Sequence, residues 1–116
     1  MKYVLIIYQG TTPLPGTESW KALPQAEQKQ IYADYAELNK TPGIAPGLPL
    51  GLPEKARTVR VKDGKVDVQD GPYQEAAGGY SVYEAESIEA AIALAAKIPA
   101  ARLGGAIEIR PVETYW

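Results

Sequence analysis

The sequence predicts an α+β fold with a mainly antiparallel sheet. Runs of β-branched and aromatic residues have the length of strands. Two stretches with helical spacing lie between those runs rather than after them. The chain of 116 residues is long enough for one core and too short for two.

Residues 3–8 (Tyr-Val-Leu-Ile-Ile-Tyr) read as a first strand that is apolar on both faces. A loop with two prolines and two glycines follows over residues 9–16. Trp20 and Leu23 lead into a helix starting near Pro24, with Glu27 close to its positive end. Ile31, Tyr35 and Leu38 form its apolar stripe, and Pro42 and Gly43 stop it. Residues 41–53 hold four prolines and three glycines, yet their aliphatic residues suggest an ordered segment that could hide a short edge strand. No domain boundary is expected there, so residues 1–116 form a single domain.

Arg57-Thr58-Val59-Arg60-Val61 and Lys65-Val66-Asp67-Val68-Gln69 alternate with period two around Asp63-Gly64, a strong hairpin signal. Residues 79–85 supply the next strand. Ser87 caps a second helix whose expected stripe is Ile88, Ala91, Ile92 and Ala95, with Pro99 after its end. Residues 106–112 form the last strand, and Pro111 places it at an edge or at the end of pairing. This order matches a ferredoxin-like sandwich elaborated by a hairpin.

Two helices can cover only one sheet face. The other projects to roughly 300 Å² for about four strands of five residues, near the largest apolar patch of a typical monomer. Because the first strand is apolar on both sides, that face is expected to meet a second copy across a two-fold axis. The alternative is that residues 41–53 fold over it.

With neither Cys nor His, the chain has no disulfide, thiolate, Ser-His-Asp triad or Cys/His zinc site. A net charge of −2 argues against nucleic acid as a partner. The longest apolar run near the N-terminus is too short to cross a membrane, and a cytoplasmic location is expected. No Gly-rich phosphate loop or convincing metal spacing occurs, so neither cofactor nor metal is expected.

Proton chemistry near neutral pH then falls to Asp, Glu, Tyr, Lys or the termini. Asp70, in the turn Asp70-Gly71-Pro72-Tyr73, is a candidate base with Tyr73 as donor, although turn chemistry alone explains these residues. Glu108 and Arg110 share one face of the last strand, opposite Ile107 and Ile109. Glu108 is a second candidate base and Arg110 an anchor for a polar ligand. A register-fixing salt bridge is the structural alternative. Tyr8, Tyr80 and Tyr83 suit either packing or ligand contact. Trp20, Tyr115 and Trp116 suggest docking on the body or on a partner, and Glu75 reads as a solvated loop charge.

Residues 2–8, 70–75 (Asp-Gly-Pro-Tyr-Gln-Glu), 78–80 (Gly-Gly-Tyr) and 107–112 (Ile-Glu-Ile-Arg-Pro-Val) occur in the order of the YCII-related family. The chain resembles its DGPF-domain branch most of all, over nearly its whole length. The resemblance implies a ferredoxin-like fold pairing into a dimeric α+β barrel. The resemblance implies no established activity; the first functional reading is a small polar ligand in a sheet-lined cavity, with proton-transfer chemistry of isomerisation or lactone type, by analogy with other dimeric α+β barrels, if the protein is an enzyme. The neighbourhood of some members to alternative sigma factors implies a second role, docking on such a protein partner. Two departures stand out: Tyr73 replaces the usual Phe, and Ala76-Ala77-Gly78 replace a frequent Lys-Glu pair. The His-Asp pair proposed as catalytic in some members has only its acid here, Asp34.

Overall fold

The computed structural model describes residues 1–74 and 77–115; the expectations for Glu75 and Trp116 lie outside the described residues. Among the described residues there are six strands and four α-helices, and one core lies between the main sheet and its helices. Strand β1 (Lys2–Tyr8) is followed by the short helix α1 (Glu18–Lys21), the long helix α2 (Gln25–Asn39) and the edge strand β2 (Ile44–Pro46). A 3-10 turn (Pro53–Lys55) precedes the hairpin strands β3 (Arg57–Lys62) and β4 (Lys65–Asp70). Strand β5 (Ala77–Glu84), helices α3 (Ile88–Ala95) and α4 (Pro99–Arg102) and strand β6 (Ala106–Pro111) complete the chain.

The main sheet has the order β2-β5-β1-β6, and all its pairings are antiparallel. Each crossover, β1 to β2 and β5 to β6, skips one strand, which is the ferredoxin-like arrangement. The sheet is open within the chain, and the hairpin forms a separate two-stranded sheet. The edge strand suspected among residues 41–53 is β2. Beyond it, the segment donates from Gly47 N–H to the Tyr80 carbonyl at 2.9 Å and from Leu50 N–H to that of Gly78 at 3.2 Å. Those bonds tie it to the outer edge of β5.

The core lies on one side of the sheet. Tyr3 and Leu5 of β1 are buried against Leu38 of α2, Ala91 and Leu94 of α3, and Ile98. Ile107 and Ile109 of β6 and Tyr83 of β5 pack around them. By strand alternation, Val4, Ile6 and Tyr8, with Tyr80, Val82, Glu108 and Arg110 beside them in register, occupy the opposite face.

Two local expectations are corrected, the α3 stripe and the segment around Trp20. Residues 88–98 are apolar almost all round, so two stripes fit equally well; the buried one is Ala91, Leu94, Ala95 and Ile98, while Ile88 and Ile92 are exposed. Pro99 follows the end of α3, as expected, and there it opens α4 from a first-turn position where its missing N–H costs nothing. Trp20 belongs to a helix of its own, α1, capped by the Thr17 hydroxyl. Trp20 is buried edge-to-face on Tyr32 at 5.4 Å, and Pro24 sits at the N-cap of α2.

The hairpin turn has Asp63 at φ 52° and Gly64 at φ 74°, the double positive that a two-residue type I′ turn requires. Val59 faces Val68 and Val61 faces Val66, so four valines share one hairpin face. They are 56–68% exposed. The radius of gyration is 16.1 Å, against about 13 Å for a compact chain of this length. The projecting hairpin accounts for the difference in direction.

Asp34 of α2 accepts from Gln30 at 2.8 Å and pairs with Arg102 of α4 at 2.8 Å. The Gln30 hydrogen bond, then the Arg102 guanidinium, hold its carboxyl below the usual range despite partial desolvation. Asp34 therefore adds stability above its ordinary pKa of about 3.9 and loses it as pH falls through its lower folded value. Urea melts of wild type and Asp34→Asn should differ most near neutral pH and converge as the pH falls through the lowered folded value, below the ordinary carboxylate range. In the same melts Leu5→Ala should cost roughly 2–5 kcal/mol at every pH, because Leu5 is fully buried.

Candidate functional site

Three of the sequence candidates meet at one end of the uncovered sheet face. Tyr8 closes β1 opposite Ala106, and Glu108 lies two residues along β6, opposite Ile6. Tyr73 comes to them from the loop after the hairpin. Together with Gln74, Gly10 and Gly104 they line an open cleft of about 560 Å³. Tyr73 is 63% exposed, and the Arg60 guanidinium lies over its ring at 5.7 Å. The phenol is thus held from the hairpin side by a cation–π contact.

The floor of the cleft depends on a close backbone crossing. Gly10 has φ +53° and Gly104 φ +97°, and Thr11 N–H donates to the Gly104 carbonyl at 3.1 Å. A Cβ on Gly10 would run into that carbonyl, and one on Gly104 would run into the Thr11 hydroxyl. Both positions need glycine for conformation and for space. The crossing fixes the ends of β1 and β6 against each other, and with them Tyr8 and Glu108.

The remaining candidates lie elsewhere. Arg110 is next along the same face of β6, with its Nε 3.8 Å from Glu108 Oε2. Arg110 is 71% and Glu108 49% exposed, so the pair contributes on the order of 0–1 kcal/mol. Both groups stay open to a ligand. Asp70 ends β4 and pairs with Arg57 across the hairpin at 3.1 Å while 87% exposed. The structure does not bring it to Tyr8 and Glu108. Tyr80 faces Ile6 across the ladder, with its ring against Gly47. It borders a second cavity between β5 and α2. Tyr83 packs on the core, and Tyr115 is 80% exposed.

That second cavity contains residues the sequence reading passed over. Gln9 and Ser81 are polar yet buried, and both line it with Thr12. A signal was present: Gln9 continues the inward series Tyr3, Leu5, Ile7, and Ser81 sits between inward Gly79 and Tyr83.

Comparison with known protein families decides one point. The YCII-related domain model matches residues 1–115. The chain belongs to the YCII-related family. No curated protein matches it. Among the described residues no helix is long and apolar enough to cross a membrane.

Gly104→Ala should lower the thermal midpoint more than Gly16→Ala does. Gly16 also has a positive φ, of +88°, but nothing lies within 4 Å of its added Cβ. The difference between the two variants measures the crossing itself, apart from backbone strain of about 1–3 kcal/mol. Equal losses would show that the crossing does not hold the cleft.

Proposed function

We propose that this YCII-related protein, of the DGPF type, binds a small polar molecule as a homodimer. The chamber lies between two uncovered sheet faces. Tyr8, Tyr73 and Glu108 form its polar wall, and Arg110 is the anchor for an acidic or carbonyl group. The observation that carries this reading is the meeting of those three side chains in one cleft on the face that no helix covers.

The chemistry follows from the groups. A carboxylate and two phenols offer one acceptor and two donor-acceptors, a set that recognises hydroxyl and carbonyl oxygens. Glu108 beside a bound carbon acid can take a proton from it and return it elsewhere, the step that isomerisation of a lactone or enol requires. Arg110 neutralises the negative charge that develops. Asp70, tied to Arg57 on the hairpin, is outside this wall.

A second reading is favoured by the valine face of the hairpin. An isolated two-stranded hairpin is marginal in water, and four exposed valines mark it as a surface that meets protein. In that reading the hairpin docks on a partner such as an alternative sigma factor, with no catalysis.

A thermal-shift screen with a metabolite library distinguishes the two. A ligand at a hundred times its Kd should stabilise the wild type by about 2.7 kcal/mol. The same compound should shift Glu108→Gln and Arg110→Ala far less. Hits that stabilise all three proteins equally, or no hits at all, count against the chamber as a binding site.

A further inference from the structure

The cavity on the helix side of the sheet has the make-up of a separate binding site. Its volume is about 270 Å³, just below the roughly 300–1,000 Å³ of pockets for drug-sized ligands. Ile7 of β1, Leu38 of α2, and Leu14 and Leu48 of the loops supply apolar walls. The polar lining is unusual for the interior. Gln9 is 7% and Ser81 4% exposed, and neither side chain makes a hydrogen bond among the described residues. The Thr12 hydroxyl oxygen is buried without any partner.

Each unpaired buried polar group costs about 1–3 kcal/mol, and such groups are rare in folded proteins. At this cavity the Thr12 hydroxyl is such a group, and the Gln9 and Ser81 side chains, nearly buried and without a hydrogen bond of their own among the described residues, stand beside it and point to something that satisfies them there. The Gln9 side chain packs over Gly78, where a Cβ would run into it. It is therefore held ready at the cavity wall. The Tyr35 phenol also lines the space, and burial pushes its pKa up, which keeps it a neutral donor.

Among the described residues the lining contains no Asp, Glu, Lys or Arg. A charged ligand would enter without a counter-charge, at a large desolvation cost. A carboxamide and two hydroxyls both donate and accept, so they match a head group that does both. We propose that this cavity binds a small uncharged molecule with an apolar body and an amide-type head, held by Gln9, Thr12 and Ser81. It lies across the sheet from the Tyr8–Tyr73–Glu108 cleft and does not depend on it.

Benzamide serves as the probe, with benzoate and benzylammonium as charged analogues of similar shape. Methyl and side-chain amide NMR spectra of the full chain are followed during titration. Benzamide should give saturable shifts centred on Ile7, Leu14, Leu38 and the Gln9 amide, and each charged analogue should bind at least tenfold more weakly. Gln9→Met and Thr12→Val, close in volume to the native residues, should each weaken benzamide about five- to tenfold. Thr12→Val should also melt no lower than wild type, since it removes an unpaired buried hydroxyl. The proposal is overturned by the absence of saturable shifts up to about 10 mM benzamide. Equal binding of the charged analogues overturns it too, as does unchanged affinity in both folded variants. Water alone then fills the cavity.

Discussion

Strand β1 runs through the middle of the main sheet with apolar side chains on both faces, and only one of those faces has helices to meet it. Tyr3, Leu5 and Ile7 join the core beneath α2 and α3. Val4 and Ile6 remain half-buried on the other side, between Val82 on β5 and the charged pair on β6. A central strand of this composition suits a sheet covered twice. The single chain covers it once, and the position of the cleft, the exposed hairpin and the open sheet all bear on that imbalance.

The two faces divide the chemistry between them. On the helix side, the polar groups Gln9, Thr12 and Ser81 are neutral and largely buried, and they line a partly open cavity. On the uncovered side, Glu108 and Arg110 are solvated and paired only loosely with each other. A charge at that place would be expensive under a helix, whereas on the open sheet face it keeps its hydration. The same sheet thus separates an uncharged site from a charged one through alternation along β1, β5 and β6.

Much of this was legible in the sequence. The hairpin followed from Asp63-Gly64 and the alternating valines, because the turn's backbone requirement is local. The inward and outward sides of β6 followed from Ile107, Glu108, Ile109 and Arg110 for the same reason. What stayed hidden depends on long-range geometry. The stripe of α3 was ambiguous because its residues are apolar on nearly every side, so packing rather than pattern chose Leu94 over Ile92. The short helix at Pro99 is fixed by its docking, since four residues cannot hold a helix by propensity. Tyr8, Tyr73 and Glu108 are distant in the chain and meet through the β1–β6 pairing and the loop after the hairpin, neither of which is a local feature. Asp70 drew notice as a turn residue, and its partner Arg57 became visible only once the hairpin register was known.

The decisive quantity is the mass of the native particle at micromolar concentration. Light scattering coupled to size exclusion should give twice the mass of one chain for the wild type. Val82→Glu, which sets a carboxylate in the middle of the uncovered face, should give the mass of one chain while keeping its helices. A wild-type particle of single-chain mass, with the amides and methyl groups of Val4, Ile6 and Val82 open to solvent, would contradict the account.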